Sequence, residues 1–258
     1  GCPAAMPQNE DTPFAPVEPY GAAKAFGNFL LRAYRERYGL HYCSGIFFTH
    51  ESPRRPEKFV VRKVTRAVAR IKLGLADSVV LGGLDSRRDW GYAPDYVRAA
   101  RLMLQADDPR DYVVATGISH SVRELLDLAF GAVELDWLAH VRSDPAFNRP
   151  GGGNPDGLVG DSSRLRSELG WAPSLDFAEL VRSMVLADMA DLEAGAGAGQ
   201  PCRPPRQASH GDGVAAGIAG AGRTLCHRGL SHRAGIAGER GQACPRDAGA
   251  RARGARGA

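Results

Sequence analysis

The aromatic residues stop at one point in the chain, and that break limits what it can fold into. All 19 Phe, Tyr and Trp residues lie before residue 195. Residues 195–258 instead hold 15 Gly, 15 Ala and 10 Arg, with no Lys and no Met. Such a stretch cannot bury enough apolar surface to offset the entropy of ordering it, so it is predicted to be a disordered tail. The preceding residues have the length and the apolar content for a packed unit. Two domains are therefore expected, 1–194 and 195–258. The tail reads either as an arm for RNA or as a non-native extension, such as GC-rich DNA translated out of frame. The second reading fits its Ala, Gly, Arg and Pro better.

Charge follows the same division. The net charge is +4, and the tail, with ten Arg against three acids, contributes +7. Residues 1–194 are therefore at −3, which argues against nucleic acid as a partner of the folded part. No run approaches the roughly 18 apolar residues of a membrane-spanning helix. The start, GCPAAMPQNEDTP, has no basic-then-apolar leader and no initiator Met, as expected of a chain that does not begin at its natural beginning. Five cysteines (Cys2, Cys43, Cys202, Cys226 and Cys244) include no C-x-x-C pair. Cys226-His227 with His232 lacks the paired spacing of a zinc module, so no metal site is expected. So few cysteines in a long chain suit a reducing, cytoplasmic setting.

Apolar periodicity alternates between helix and strand. Pro19 and Gly39 bracket a helix whose Phe26, Phe29, Leu30, Ala33 and Tyr34 recur at helical spacing, predicting a buried stripe. Residues 40–48 read as a strand, and HESPRRPEK as a polar loop. Val60, Val61, Val64, Val68 and Ile71 predict an amphipathic helix ending near Gly74. A strand at 78–81, a helix at 95–105 and a strand at 111–115 follow. Ser121 and Glu124 predict a capping box for a helix running through Phe130. Helices at 165–169, before Gly170, and at 176–188 close the pattern. This alternation means an α/β fold with a partly parallel sheet.

Several residues could carry chemistry. Tyr20 and Lys24 stand four apart and so share one helix face. An ammonium there favours the phenolate, drawing the phenol below its ordinary ~10 so that it can accept a proton from a substrate hydroxyl. The same spacing also arises by chance on many helices. His50-Glu51-Ser52-Pro53-Arg54-Arg55, followed by Arg62-Lys63, offers guanidinium forks that suit phosphate oxygens. Arg87-Arg88-Asp89-Trp90 is another basic cluster, and Arg149-Pro150 precedes the Gly-rich GGGNPDG. Each of these also reads as a solvated charged surface, but together they point to an anionic small molecule. The Gly-rich run lacks G-x-G-x-x-G and reads as a connection, while His120 and His140 read as surface or cap residues.

TPFAPVEPYGAAK, HESPRRPEKFVVRKVTRAVA, LGGLDSRRDWGYAPDYVRA, VVATGISHSVRE and LGWAPSLDFAELVRSMVLAD occur in one order. In that order and spacing the chain resembles the GDP-mannose 4,6-dehydratases, a family of extended short-chain dehydrogenase/reductases, over most of residues 6–193. The resemblance implies the C-terminal part of a Rossmann-type NADP-binding domain plus a smaller α/β substrate-binding domain. It implies a lyase that turns GDP-mannose into GDP-4-keto-6-deoxymannose through transient oxidation by NADP and loss of water. Tyr20 and Lys24 would be catalytic, with Lys24 also holding the nicotinamide ribose. His50 and Arg55 would touch NADP, and Lys63, Arg88 and Arg149 the GDP-sugar. A homo-oligomer is implied as well.

The departures are equally specific. The family's N-terminal strand and G-x-x-G-x-x-G turn do not occur before Tyr20, and its Thr-x-Glu would fall just ahead of Gly1. GVAAGIAGAG at 213–222 has the glycines without the strand. Thr49 replaces the family's Asn, Pro56 its Gly, and the Gly-rich run after Arg149-Pro150 its Glu. The chain is thus expected to be an incomplete dehydratase, inactive alone, with strands lacking neighbours. A non-catalytic remnant, at most a weak nucleotide-sugar binder or assembly module, is the alternative.

Overall fold

In the computed structural model, residues 3–147 and 158–197 are described. The tail beyond 197, including the predicted disorder and the 213–222 glycines, lies outside them, as does the Gly-rich run. The chain passes through α1 (Pro19–Tyr38), β1 (Ser44–Phe47), β2 (Thr49–Glu51), α2 (Val60–Lys72), β3 (Val79–Leu81) and β4 (Arg87–Tyr92). It continues through α3 (Ala93–Gln105), β5 (Asp111–Val114), β6 (Ser119–Ser121), α4 (Val122–Gly131), β7 (Val141–Ser143), α5 (Ser163–Leu169) and α6 (Phe177–Gly197).

The strands form short ladders: β1–β5 and β3–β7 in parallel, and β2–β4–β6 with β2–β4 parallel and β4–β6 antiparallel. The partly parallel α/β arrangement expected from the alternation is present. Local signals hold at several helix ends. Gly39 and Gly170 close α1 and α5 at φ 62° and 64°, backbone that a side chain would strain. Ser121 Oγ accepts the Glu124 amide at 3.0 Å. Asp176 and Glu179 cap each other reciprocally at 2.8 and 2.9 Å, opening α6, which runs past Asp188 to Gly197.

Two cores result. The larger joins Val61, Val64 and Val68 of α2 to Leu125, Leu126 and Phe130 of α4 and to Leu180, Val181, Met184 and Val185 of α6. Leu81 of β3 and Trp90 of β4 belong to it too. Fully burying each such side chain contributes about 1.5–3 kcal/mol before entropy is counted. Within it Asp188, fully buried, accepts Thr65 Oγ1 at 2.8 Å and pairs with Arg62 and Arg66, locking α6 to α2. The smaller core sets Tyr96, Ala99 and Met103 of α3 against Tyr112 and Val114 of β5, with Leu165 and Trp171.

The stripe predicted on α1 is not buried. Phe26 is 66% and Phe29 56% exposed, and Leu30, Ala33 and Tyr34 are exposed as well. The helix meets the narrow β1–β5 ladder through its other face, where Ala25 and Asn28 are buried. Asn28 Nδ2 donates to Ser44 Oγ at 2.7 Å, and Arg32 and Arg35 pair with Asp111 at 2.5 and 2.9 Å. Helical spacing marks an apolar face; it does not supply a surface to cover it.

Candidate active site

Tyr20 and Lys24 sit at the start of α1, where Pro19 opens the first turn. Lys24 Nζ lies 5.6 Å from the centre of the Tyr20 ring, and Tyr20 is 72% exposed. The shared face read from the spacing is therefore real, and it is open.

The strand that follows α1 resumes beyond Phe48 as β2, so His50 and Glu51 are strand residues where the polar run predicts loop. His50 Nδ1 lies 2.9 Å from the Phe48 carbonyl. A carbonyl only accepts, so Nδ1 carries a proton, and in the neutral imidazole Nε2 is the acceptor. The imidazole stacks on Tyr96 at 4.7 Å. That packing needs Gly91, the β4 partner of His50: a Cβ there would come within 2.4 Å of the Tyr96 ring. The Tyr96 phenol is buried without a hydrogen-bond partner, and burial, with Asp89 and Asp95 nearby, pushes its ionisation far above the usual range.

Arg55, in the turn after β2, rests its guanidinium 3.6 Å above the Phe59 ring. Its Nε is 3.4 Å from Glu51 Oε2. Glu51 is 2% exposed, and burial raises its carboxyl to about 7, with Arg55 opposing the rise. Lys63, on the first turn of α2, donates to the Val80 carbonyl on β3 at 2.6 Å and lies 5.0 Å from the Phe147 ring. Arg88 stands on β4 opposite His120 of β6 and donates to the Arg87 carbonyl at 2.5 Å. Arg149 lies outside the described residues.

His50, Arg88 and the turn bearing Arg55 thus belong to one three-stranded sheet and its edge, with Lys63 on the helix that follows. Tyr20 and Lys24 stand on a separate element. Among the described residues, no hydrogen bond or ion pair ties them to that basic group. An open cavity of about 570 Å³, lined by Met6, Pro7, Gly117, Ser162 and Arg166 among others, contains none of these residues.

Sequence reasoning missed three residues that shape the site. Two of them are Glu51 and Tyr96, both buried against the sheet. The third is Asp89, 1% exposed, which accepts Thr116 N at 3.0 Å, Thr116 Oγ1 at 2.6 Å, Gly117 N at 3.0 Å and Gly160 N at 3.3 Å. One carboxylate thereby fixes the turn after β5 and the chain at Gly160 beside the strand that carries Arg88. Burial along β4 is continuous from Asp89 to Gly91 beside a half-buried basic pair, so alternation gave no signal, and the run looked like surface charge.

The family description "GDP-mannose 4,6 dehydratase" matches residues 1–184. The chain is 51% identical over 183 residues to GDP-mannose 4,6 dehydratase 1 of Arabidopsis thaliana, covering 71% of this chain and 50% of that protein. It is 44% identical over 201 residues to GDP-mannose 4,6 dehydratase of Homo sapiens, covering 71% and 54%. The chain therefore spans about half the length of the curated relatives it matches. Among solved structures it resembles RMD from Pseudomonas aeruginosa complexed with NADPH, with a TM-score of 0.66 at 24% identity over 73% of this chain and 62% of that one. It also resembles the UDP-glucose 4-epimerase of Thermus thermophilus in complex with NAD, with a TM-score of 0.61 at 27% identity over 72% and 58%. The order of motifs, the α/β fold and these matches agree: the chain belongs to the GDP-mannose 4,6-dehydratase family.

Proposed function

We propose that residues 1–194 form the substrate-facing part of a GDP-mannose 4,6-dehydratase and that Tyr20 is its acid–base residue. The observation that carries this reading is the Lys24 ammonium 5.6 Å from the Tyr20 ring on an open helix face. Tyr20 Oη, as the phenolate, takes the proton from the mannose 4-hydroxyl and becomes the neutral phenol, and Lys24 sets a positive charge beside the ring that carries the negative one.

NADP, when bound, supplies the hydride acceptor that oxidises C4 and later returns the hydride at C6. The residues present fit one side of such a dinucleotide. Lys24 would hold the ribose, His50 offers Nε2 as an acceptor, and Arg55 presents a guanidinium for a phosphate. Among the described residues there is no glycine turn of the kind that holds a pyrophosphate in this family. Arg88, Lys63 and Arg149 would hold the GDP-sugar diphosphate. Among the described residues no hydrogen bond or ion pair brings a carboxylate to Tyr20 or Lys24, and no base for the C5 proton is assigned beside that pair.

The chain alone is therefore expected to bind GDP-mannose without converting it. The exposed apolar face of α1 supports a homo-oligomer, since Phe26, Phe29, Leu30 and Tyr34 lack a covering surface among the described residues. No helix among the described residues is long and apolar enough to cross a membrane. The free Cys43 thiol fits the cytoplasm as the working compartment. Purified chain, GDP-mannose and NADP+ test the reading directly. Substrate-dependent quenching of the tryptophans with no 4-keto product is the expected result. A 4-keto product overturns the inactivity, and absence of quenching overturns the binding role.

A further inference from the structure

The Glu51–Arg55 pair has no part in the acid–base chemistry, yet its geometry is unusual for a structural contact. Glu51 is carried on β2, paired through the ladder with Tyr92 of β4, and is 2% exposed. Its Oε2 and the Arg55 Nε approach to 3.4 Å, but neither buried atom makes a hydrogen bond. The guanidinium is held from the other side by the Phe59 ring at 3.6 Å. Backbone bonds shape the turn between them: Arg55 N to Ser52 O at 2.9 Å, and Phe59 N to Pro56 O at 3.1 Å. A buried ion pair of this kind is a poor way to gain stability, because well-packed apolar residues of similar volume serve as well or better. What it does provide is orientation. With Nε turned toward Glu51 and one face on Phe59, the two terminal nitrogens are the part of Arg55 left to meet an anion.

We propose that Glu51 is a positioning residue that acts through Arg55, setting the guanidinium to take a phosphate of the dinucleotide. This rests on the reading above only in that Arg55 meets such a phosphate. A carboxylate that acts through one arginine has a specific signature, which is loss of its effect when that arginine is gone. A carboxylate that merely supports the fold keeps its effect in either background.

The test uses the full chain and NADP+ as the probe, with affinity read by calorimetry and folding by near-UV circular dichroism. Arg55→Ala is expected to weaken binding about tenfold or more, the scale of a lost charge-assisted hydrogen bond. Glu51→Gln, close to isosteric, is expected to weaken it several-fold in the wild-type background and not at all on top of Arg55→Ala. If Glu51→Gln fails to fold, Glu51→Asp, which withdraws the carboxylate by one methylene, is read in the same two backgrounds. A second readout needs no ligand: the Arg55 Nε–H proton should exchange slowly with solvent in the wild type and faster in Glu51→Gln. Wild-type affinity in Glu51→Gln, losses that multiply with Arg55→Ala, or equal exchange rates in both proteins would each overturn the inference alone. An Arg55→Ala variant that binds as the wild type, or a wild-type chain that takes up no NADP+, overturns the reading beneath it and the inference with it.

Discussion

The α2–α4–α6 region and the α1 region are built from similar proportions of apolar residues, and they differ in what covers them. In the first, three helices close on one another and on β3 and β4, so that Val61, Leu125, Phe130 and Val181 reach zero exposure. In the second, a 20-residue helix leans on a two-stranded ladder and buries Ala25 and Asn28, while its aromatic face stays in solvent. Buried charge follows the same contrast. Asp188 is fully enclosed and bonded from three residues of α2; Asp111 is tied to α1 through Arg32 and Arg35, whose side chains remain 36% and 19% exposed. Amphipathic sequence is thus necessary for a core and not sufficient for one. Closure by neighbouring elements decides how much of it stabilises the fold.

The sharpest way to break this contrast is at its centre. Phe130→Ala should cost about 3–5 kcal/mol in urea unfolding through lost transfer energy and the cavity left behind. Asp188→Ala should cost a similar ~3–5 kcal/mol, because Arg62, 12% exposed, would lose its acidic partner, while Arg66 would keep Asp191 and Glu57. Loss below ~1 kcal/mol for either would mean that this core is not closed as described.

Glu51 supplies the next effect. Its carboxyl ionises at about 7 in the fold, above the ordinary carboxylate value, so the folded chain holds the proton more tightly than the unfolded one. Stability from this group is greatest at acid pH, falls as pH rises from about 4 to about 7, and is level above that. Glu51→Gln should abolish the fall and leave the variant about 3 kcal/mol more stable than the wild type at pH 8. Melting curves across pH 4–8 that are parallel for the two proteins would refute it.

Asp111 carries the opposite sign at smaller size. Burial raises its carboxyl, but hydrogen bonds and charge from Arg35 and Arg32 outweigh burial, and the net shift is downward. Its contribution is present above the ordinary aspartate value and is lost as pH falls through the lowered one. Asp111→Asn should cost about 1 kcal/mol near neutrality, since both partners are partly solvated. The smallest effect is expected on the open face. Phe29→Ser should change unfolding by about 0.5 kcal/mol or less while reducing self-association in sedimentation. A large stability loss would show that this face is covered after all.

Much of the scaffold was legible because it depends on neighbours in sequence. Gly39, Gly170, Ser121 with Glu124, and Asp176 with Glu179 mark helix ends through backbone geometry and short-range hydrogen bonds. The strand Arg87–Tyr92 was not legible. Its charges imitate a surface, and only a set of donors from Thr116, Gly117 and Gly160 makes Asp89 acceptable inside. The site divides likewise. Tyr20 with Lys24 follows from helical spacing, and the basic residues follow from composition and family resemblance. The tautomer of His50 depends on a carbonyl two residues back, whereas the seating of Arg55 depends on a ring and a buried carboxylate.

The order of motifs determined the family, the α/β alternation and the residues that could carry chemistry, because these reside in local pattern. Tertiary structure alone decided which apolar face is covered, which carboxylates are enclosed, and how Arg55 is held. Those outcomes depend on what stands a few ångströms away in space, and α1 shows that the same periodicity can lie against a core or against water.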